Sequence, residues 1–289
     1  MNSRTFIRTV STSGENEKSI KANVSGVSLS DLCHKTTTSA TKPRSRSLTR
    51  VTGKAQKRNK WDRQDLPKGA EKVEAVREMF DAIAPRYDFV NRLMTFRLDT
   101  RWRKKTIAAL NLPKGSRVLD LASGTGDLCI ELQQNGYQPI SMDLSFGMLS
   151  ADRSGAPRTQ VDILKLPVPN MCVDGVTCGF ALRNLENLQM FFIELARVTR
   201  HGGRIALLDV SVPTNRFVRF GNGIYFGRIV PIIGGLFSDR AAYKYLPRSV
   251  AYLPSAEELI AMLRQSGFTD AQHKQLSGGL TQLIVATRN

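Results

Sequence analysis

From Glu71 onward the apolar positions switch repeatedly between the 3.6-residue spacing of a helix face and the short unbroken runs of a fully buried strand. Glu71 to Phe80 and Phe89 to Leu110 read as helices, the second stopped by the turn signal Leu112-Pro-Lys-Gly115. Arg117 to Leu121 reads as a strand, and the helix predicted from Gly126 to Gln134 closes at Asn135-Gly136. The next strand ends at Asp143, after which Ser145 can cap a short helix carrying Met148 and Leu149. Thr159 to Val161, Gly175 to Gly179 and Arg204 to Asp209 are further strands, with a helix from Leu188 to Thr199 stopped by His201-Gly-Gly203. Ser255 and Glu258 have the spacing of a capping box for a helix to Ser266 that stops at Gly267, and Leu283 to Thr287 is a last apolar strand. Strands alternating with helices predict an α/β fold with a parallel, doubly wound sheet.

The pattern fails in two places. Residues 1–70 are rich in Ser, Thr, Lys and Arg and show no sustained period, so a disordered tail is expected ahead of one domain over 71–289. Residues 212–254 form an aromatic, glycine-rich insert holding Phe217, Phe220, Tyr225, Phe226, Phe237, Tyr243, Tyr245 and Tyr252. The insert follows a strand end, where ligands of such sheets sit, and reads as a lid over an apolar substrate; the alternative is a peripheral subdomain that completes the core.

Charge changes the picture less than its size suggests. The tail carries roughly 15 basic and roughly 5 acidic residues, so about +10 of the formal +17 sits there and the folded part is only mildly basic. A nucleic-acid enzyme is expected to carry its charge on the folded face, and nucleic acid is not the expected partner. The basic arm from Lys42 to Lys60 suits contact with an anionic membrane surface, at about 1 kcal/mol per cation, and a solvated tail without a partner is an equal reading. This predicts a cytoplasmic protein, peripheral to the inner membrane face. The Arg- and Ser-rich start also has the character of an organelle transit peptide, against which Glu15, Glu17 and Asp31 weigh. Cys33, Cys129, Cys172 and Cys178 make no C-x-x-C pair and the three histidines are scattered, so no metal site is expected.

The chemistry concentrates in Val118 to Asp127, VLDLASGTGD, a buried strand running into a glycine turn that opens a helix. Gly124 and Gly126 permit a tight turn and close approach of a ligand to the backbone. Asp143, about twenty residues on at the end of the next strand, is placed to grip a ribose. The third glycine of a dinucleotide fingerprint would fall on Cys129, and the carboxylates Asp120 and Asp127 flanking the turn would repel a pyrophosphate. A phosphate-free, cationic adenosyl ligand fits instead, and S-adenosylmethionine (SAM) is the cofactor this predicts. Its ribose hydroxyls would give Asp143 charge-assisted hydrogen bonds worth roughly 1.5–3 kcal/mol each.

With those residues placed, the chain from about Met79 to its end resembles the C-methyltransferases of menaquinone and ubiquinone biosynthesis. Five blocks carry the likeness: MFDAIAPRYDFVN from Met79 with Trp102 beyond it, Asp120 to Asp127, DLSFGML from Asp143, FALRN from Phe180 with RVTRHGGR from Arg197, and YKYLPRS from Tyr243. The resemblance implies a Rossmann-like, class I SAM-dependent fold with a mostly parallel seven-stranded sheet and N-terminal helices. It puts cofactor contacts on Thr125 in the turn, Asp143 at the ribose and Asp162-Ile163 beside the adenine, joining Asp120, Gly124 and Gly126. Ile163, Gly179, Ala181, His201 and Asp209 depart from the residues common in that family.

The implied reaction is transfer of the sulfonium methyl to a ring carbon of a polyprenylated quinol, with demethylmenaquinol as the expected acceptor. A carbon nucleophile needs the ring hydroxyl beside it to lose its proton, so the site needs a route for that proton and a cation for the oxyanion. Arg183 is the candidate for the oxyanion and Tyr87 for the proton relay or ring orientation, with Asp88 and Asn91 in support. A Tyr87 that merely packs in the core and an Arg183 paired with Glu186 are the bland alternatives. A benzoquinol, another lipophilic phenol, or a SAM-binding subunit without turnover are the competing functions, and a homodimer is compatible with any of them.

Overall fold

A computed structural model describes residues 69–213, 216–225 and 249–289. The basic tail with its membrane and transit-peptide readings, and the insert positions Phe226, Phe237, Tyr243 and Tyr245, lie outside the described residues. Three helices come first: α1 (Gly69–Ile83), α2 (Tyr87–Met94) and α3 (Leu98–Leu110). The alternating part follows as β1 (Arg117–Leu121), α4 (Asp127–Gln134), β2 (Gln138–Asp143), α5 (Phe146–Ser150), β3 (Arg158–Gln160), β4 (Val173–Gly179), α6 (Leu188–Val198) and β5 (Thr199–Val210). Then come α7 (Arg216–Ile224), α8 (Ala256–Gln265), β6 (Phe268–Leu276) and β7 (Thr281–Arg288).

The strands form one seven-stranded sheet in the order β3-β2-β1-β4-β5-β7-β6. β1 to β5 pair parallel, while β7 runs antiparallel to both β5 and β6. The expected doubly wound, mostly parallel sheet is therefore the observed one. Its central strands are covered on both faces, which is why they read as continuous apolar runs. Leu119, Leu121, Val176, Ile205 and Leu207 are fully buried with Phe191, Phe192 and Leu195 of α6. Each such side chain contributes about 1.5–3 kcal/mol by leaving water. The strand order reverses between β1 and β4, and the crevice outside the carboxyl ends of those strands is where an open α/β sheet holds its ligand.

Three expectations about elements are corrected. The helix predicted over Phe89 to Leu110 is two, because Phe96 and Arg97 take left-handed backbone angles (φ 50° and 61°) and Thr95 Oγ1 caps sideways onto Asp99 at 2.8 Å. His201-Gly-Gly203 does not separate α6 from the next strand: β5 already starts at Thr199, and the glycines fall in an irregularity of its pairing with β4. β6, which no apolar period announced, is the sheet edge, with only Phe268 and Leu276 of its residues buried. The capping box is present as read: Ser255 Oγ accepts from Glu258 N at 3.2 Å and Ser255 N donates to the Glu258 carboxylate at 2.8 Å.

The N-terminal helices pack across the carboxyl edge of the sheet. Ala75, Met79, Ile83 and Val90 make a small core with Met148 of α5. Asp81 of α1 ties them down by accepting from Ser145 Oγ (2.6 Å) and Gly147 N (2.8 Å). Among the described residues no helix is long and apolar enough to cross a membrane.

Candidate active site

Two neighbouring cavities open where β1, β2 and β4 end. The first, of about 130 Å³, is walled by Gly124, Asp143, Asp162, Ile163 and Leu164 on the sheet side and by Val76, Arg77 and Phe80 of α1 opposite. The glycine turn is built as its sequence implies. Gly124 and Gly126 have φ of 58° and 83°, and a Cβ on Gly126 would lie 2.5 Å from an Asp152 carboxylate oxygen. That carboxylate is buried under the turn, accepting from Ser141 Oγ (2.8 Å) and from the Ser154 amide (2.6 Å). Ala122, at the head of the turn and also on the cavity wall, has φ 51°, a conformation that costs a non-glycine residue about 1–3 kcal/mol.

Asp143 is the acidic group that meets this cavity from within the fold. Its carboxylate accepts from Gly124 N and Ser145 N, each at 2.8 Å, so strand end, turn and helix α5 are held to one another. Burial raises its pKa to about 6 against the lowering effect of those two amides. Asp162 stands at the other side, holding its own loop by accepting from Leu164 N at 2.9 Å, with Ile163 packed inward beside it.

The remaining turn residues support the wall from behind. Asp120 was expected at the ligand, but it is fully buried and is not a wall residue. It stands level with Thr177 in the β1–β4 pairing and accepts from Thr177 Oγ1 at 2.8 Å and Cys129 Sγ at 3.4 Å. Burial raises its pKa to about 7. Thr125, also expected at the ligand, is buried and donates its hydroxyl to Asp88 at 2.5 Å. Gly126 likewise sits over Asp152 rather than in the cavity. Asp127 is engaged by Arg103 and Arg153 at 3.1 Å and Arg92 at 3.5 Å. The repulsion of a pyrophosphate by Asp120 and Asp127 is thereby corrected: one is sealed in the sheet, the other neutralised by arginines. Acidic character at the cavity comes from Asp143, Asp162 and Glu186.

The second cavity, of about 430 Å³, lies between the N-terminal helices, the loop after β4, and α7. Its walls are mostly apolar: Met79, Ile83, Met94, Trp102, Val218 and Leu280 are representative, with Tyr225 of the insert closing one side. Phe80, Tyr87 and Phe180 belong to the walls of both cavities, so the two adjoin at an aromatic partition. Phe80 and Tyr87 meet edge to face at 6.1 Å, and Phe180 holds its place with φ 61°. Trp102 is fixed by its indole N–H to Ser277 Oγ at 2.8 Å.

Arg183 supplies the cation of this second cavity. The expected alternative pairing with Glu186 is not the one formed: its Nη1 donates to Asp209 at 2.5 Å and to the Phe180 carbonyl at 2.7 Å, and its backbone N–H reaches Asp209 at 3.3 Å. Asp209 is completely buried at the end of β5 and accepts from Val210 N as well, so it acts as a socket for the guanidinium. The sequence reading noted Asp209 only as a departure from a family pattern. Its position at a buried strand end, like Asp143, was the available signal. Tyr87 is half-buried at the partition, and Asn91 lies one helical turn further along the second cavity.

A model of the ubiE/COQ5 methyltransferase family matches residues 68–288 of this sequence. The chain belongs to the ubiE/COQ5 methyltransferase family. Among curated relatives, the ubiquinone/menaquinone biosynthesis C-methyltransferase UbiE of Geobacter sulfurreducens is 39% identical over 230 residues, covering 75% of this chain and 90% of the relative. The demethylmenaquinone methyltransferase of Roseiflexus castenholzii is 37% identical over 223 residues, covering 74% and 93%. Among solved structures, a SAM-dependent methyltransferase from Thermotoga maritima superposes with a TM-score of 0.52 at 17% identity, covering 74% of this chain and 99% of that one. The [4+2]-cyclase SpnF superposes with a TM-score of 0.53 at 14% identity, covering 77% and 98%. Likenesses at that identity speak for the fold alone. As a ubiE/COQ5 family member the protein is a methyltransferase with SAM as its cofactor. The residues present fit that group: a side-chain-free turn at Gly124, the Asp143 carboxylate, and an apolar slot at Ile163 beside Asp162.

Proposed function

We propose that the protein methylates a ring carbon of a polyprenylated quinol and that demethylmenaquinol is its acceptor. The observation that carries this reading is the apolar cavity of about 430 Å³, which shares Phe80, Tyr87 and Phe180 with the cofactor cavity and holds one arginine in its wall. A hydrophobic ring with a prenyl chain suits such walls, and few convergent polar groups suffice to orient it. The names of the relatives, ubiquinone/menaquinone biosynthesis C-methyltransferase and demethylmenaquinone methyltransferase, point the same way.

SAM, when bound, supplies a methyl group on a sulfonium, ready for displacement. Everything else falls to the chain. Asp143, Asp162 and Ile163 hold the cofactor on the far side of the partition. Arg183 steadies the oxygen of the ring as its hydroxyl proton leaves; a fixed cation aimed at a forming oxyanion in a dry site is worth far more than in water. Asp209 keeps the guanidinium from turning away. Tyr87, at the partition, orients the ring and relays the proton outward, with Asn91 next to it. Because loss of the hydroxyl proton makes the ring carbon itself the nucleophile, and that carbon gives up its hydrogen as a proton once methylated, no covalent enzyme intermediate is needed.

Incubation of the full chain with methyl-labelled SAM and, in parallel, demethylmenaquinol, a polyprenylated benzoquinol and RNA tests the proposal. Label on the naphthoquinol ring carbon is expected. Label on the benzoquinol alone or on RNA would replace the acceptor, and binding without transfer to any of them would overturn turnover itself.

A further inference from the structure

Two of the helices that wall the apolar cavity, α2 and α7, carry several large exposed aromatic side chains, more than a monomeric soluble protein ordinarily gathers in one region. On α2 and the turn after it, Phe89, Leu93 and Phe96 are 58%, 39% and 72% exposed, and their spacing of four and three places them in one stripe. On α7, Phe217 and Phe220 are 79% and 73% exposed and one turn apart. The two helices are joined at the cavity: Tyr225, just past α7, donates its hydroxyl to the Met94 carbonyl at 2.5 Å and stacks at 5.9 Å on Phe96, and both rings line the cavity wall.

The charges around these rings are mostly basic. Arg86, Arg97 and Arg101 are exposed near the α2 stripe, and Arg216 and Arg219 are exposed on α7. The acidic side chains of α2 and α3 are already answered within the protein, Asp88 by Arg153 at 2.5 Å and Asp99 by Arg103 at 2.6 Å. Beside the stripe runs an open groove of about 640 Å³ lined by Phe89, Phe96, Arg92, Arg97, Arg153 and the Asp88 carboxylate that Arg153 answers, so arginines outnumber the one acid there. Amphipathic helices that display aromatic and leucine side chains among arginines lie in the headgroup region of an anionic bilayer.

We infer that α2, the Phe96 turn and α7 form a docking surface for an anionic lipid bilayer, which brings the apolar cavity walled by the same two helices close to the acyl region. The occupant is a membrane rather than a protein groove because the rings are spread over two short helices with cations dispersed among them. The inference does not depend on which ring is methylated, since vesicle binding is read without turnover.

The test uses the full chain and extruded vesicles of phosphatidylcholine alone or with 30 mol% phosphatidylglycerol, an amount on the order of a cytoplasmic leaflet's acidic content. The wild type is expected to co-sediment with the anionic vesicles and to lose most of that binding in phosphatidylcholine. The quadruple variant F89S/L93S/F217S/F220S is expected to bind at least tenfold more weakly, with an unchanged far-UV spectrum and thermal midpoint. In a second measurement, Phe220→Trp is expected to gain fluorescence that brominated acyl chains quench beyond the quenching of the wild-type tryptophans. Full binding by the quadruple variant, or a residue 220 indole that brominated lipid leaves untouched, would overturn the inference and leave the tail as the membrane contact.

Discussion

The two cavities share an aromatic partition yet are made in opposite ways. The cofactor cavity is formed by three strand ends and one turn, and hydrogen bonds fix it: Asp143 to two amides, Asp162 to its own loop, Asp152 to Ser141 beneath the turn. The apolar cavity is formed by side-chain packing from four distant stretches of chain, with Arg183 on Asp209 as its one charged fixture among the described residues. On the proposed reading the first holds a polar ligand of fixed shape, which hydrogen-bonded walls suit. The second, on the same reading, takes a ring with a long apolar chain, for which area matters more than direction. Disabling one side should therefore leave the other largely intact.

The largest separation should come from Arg183→Ala. Its loss removes the cation facing the substrate oxygen and is expected to lower kcat by about 10²–10³, while the affinity for SAM measured by calorimetry stays within about twofold of wild type. Asp143→Asn should do the reverse, weakening SAM binding about 100-fold, since a charge-assisted acceptor and a backbone clamp are lost together. In the wild type the SAM affinity should rise as pH passes upward through about 6, where Asp143 becomes a carboxylate, and this dependence should vanish in the variant.

Gly126→Ala probes the rigidity of the turn. With φ at 83° and Asp152 at 2.5 Å from the new methyl, it should destabilise the protein by about 2–3 kcal/mol in denaturant titrations. A smaller effect is expected from Tyr87→Phe, about tenfold in kcat with little change in SAM affinity; a change confined to stability would mark Tyr87 as packing alone. A separate, pH-dependent signal should come from Asp120. Its folded-state pKa of about 7 lies above the ordinary 3.8, so the folded protein holds a proton that the unfolded chain has released. That contribution is complete below about pH 4 and is lost as pH rises through about 7, and Asp120→Asn should flatten the stability profile across that window.

The same contrast governs what was legible in the sequence. The sheet announced itself because its central strands are buried on both faces and its turns carry Gly, Pro and Ser at positions that demand them. The smaller cavity could be read in outline, since Gly124, Asp143, Asp162 and Ile163, which the sequence singles out, all line it. Asp120 could not be placed from spacing alone, because a residue at a strand end can face the ligand or the neighbouring strand, and only the β1–β4 register decides; Thr125 and Gly126 are turned from the cavity by Asp88 and Asp152, which come from other segments of the chain. β6 was hidden by being a polar edge strand, and the break at Phe96 by a pair of left-handed residues that no glycine marks. The acceptor cavity was legible only as an aromatic insert and a candidate arginine; its partition and the Asp209 socket depend on packing between segments far apart in the chain.

Simultaneous occupancy tests the division of labour most directly. When S-adenosylhomocysteine is titrated calorimetrically into the full chain saturated with menaquinone in detergent, the account predicts a ternary complex with a dissociation constant within about twofold of that in detergent alone. Mutual exclusion of the two ligands would contradict it, because two cavities that meet only at Phe80, Tyr87 and Phe180 leave room for both.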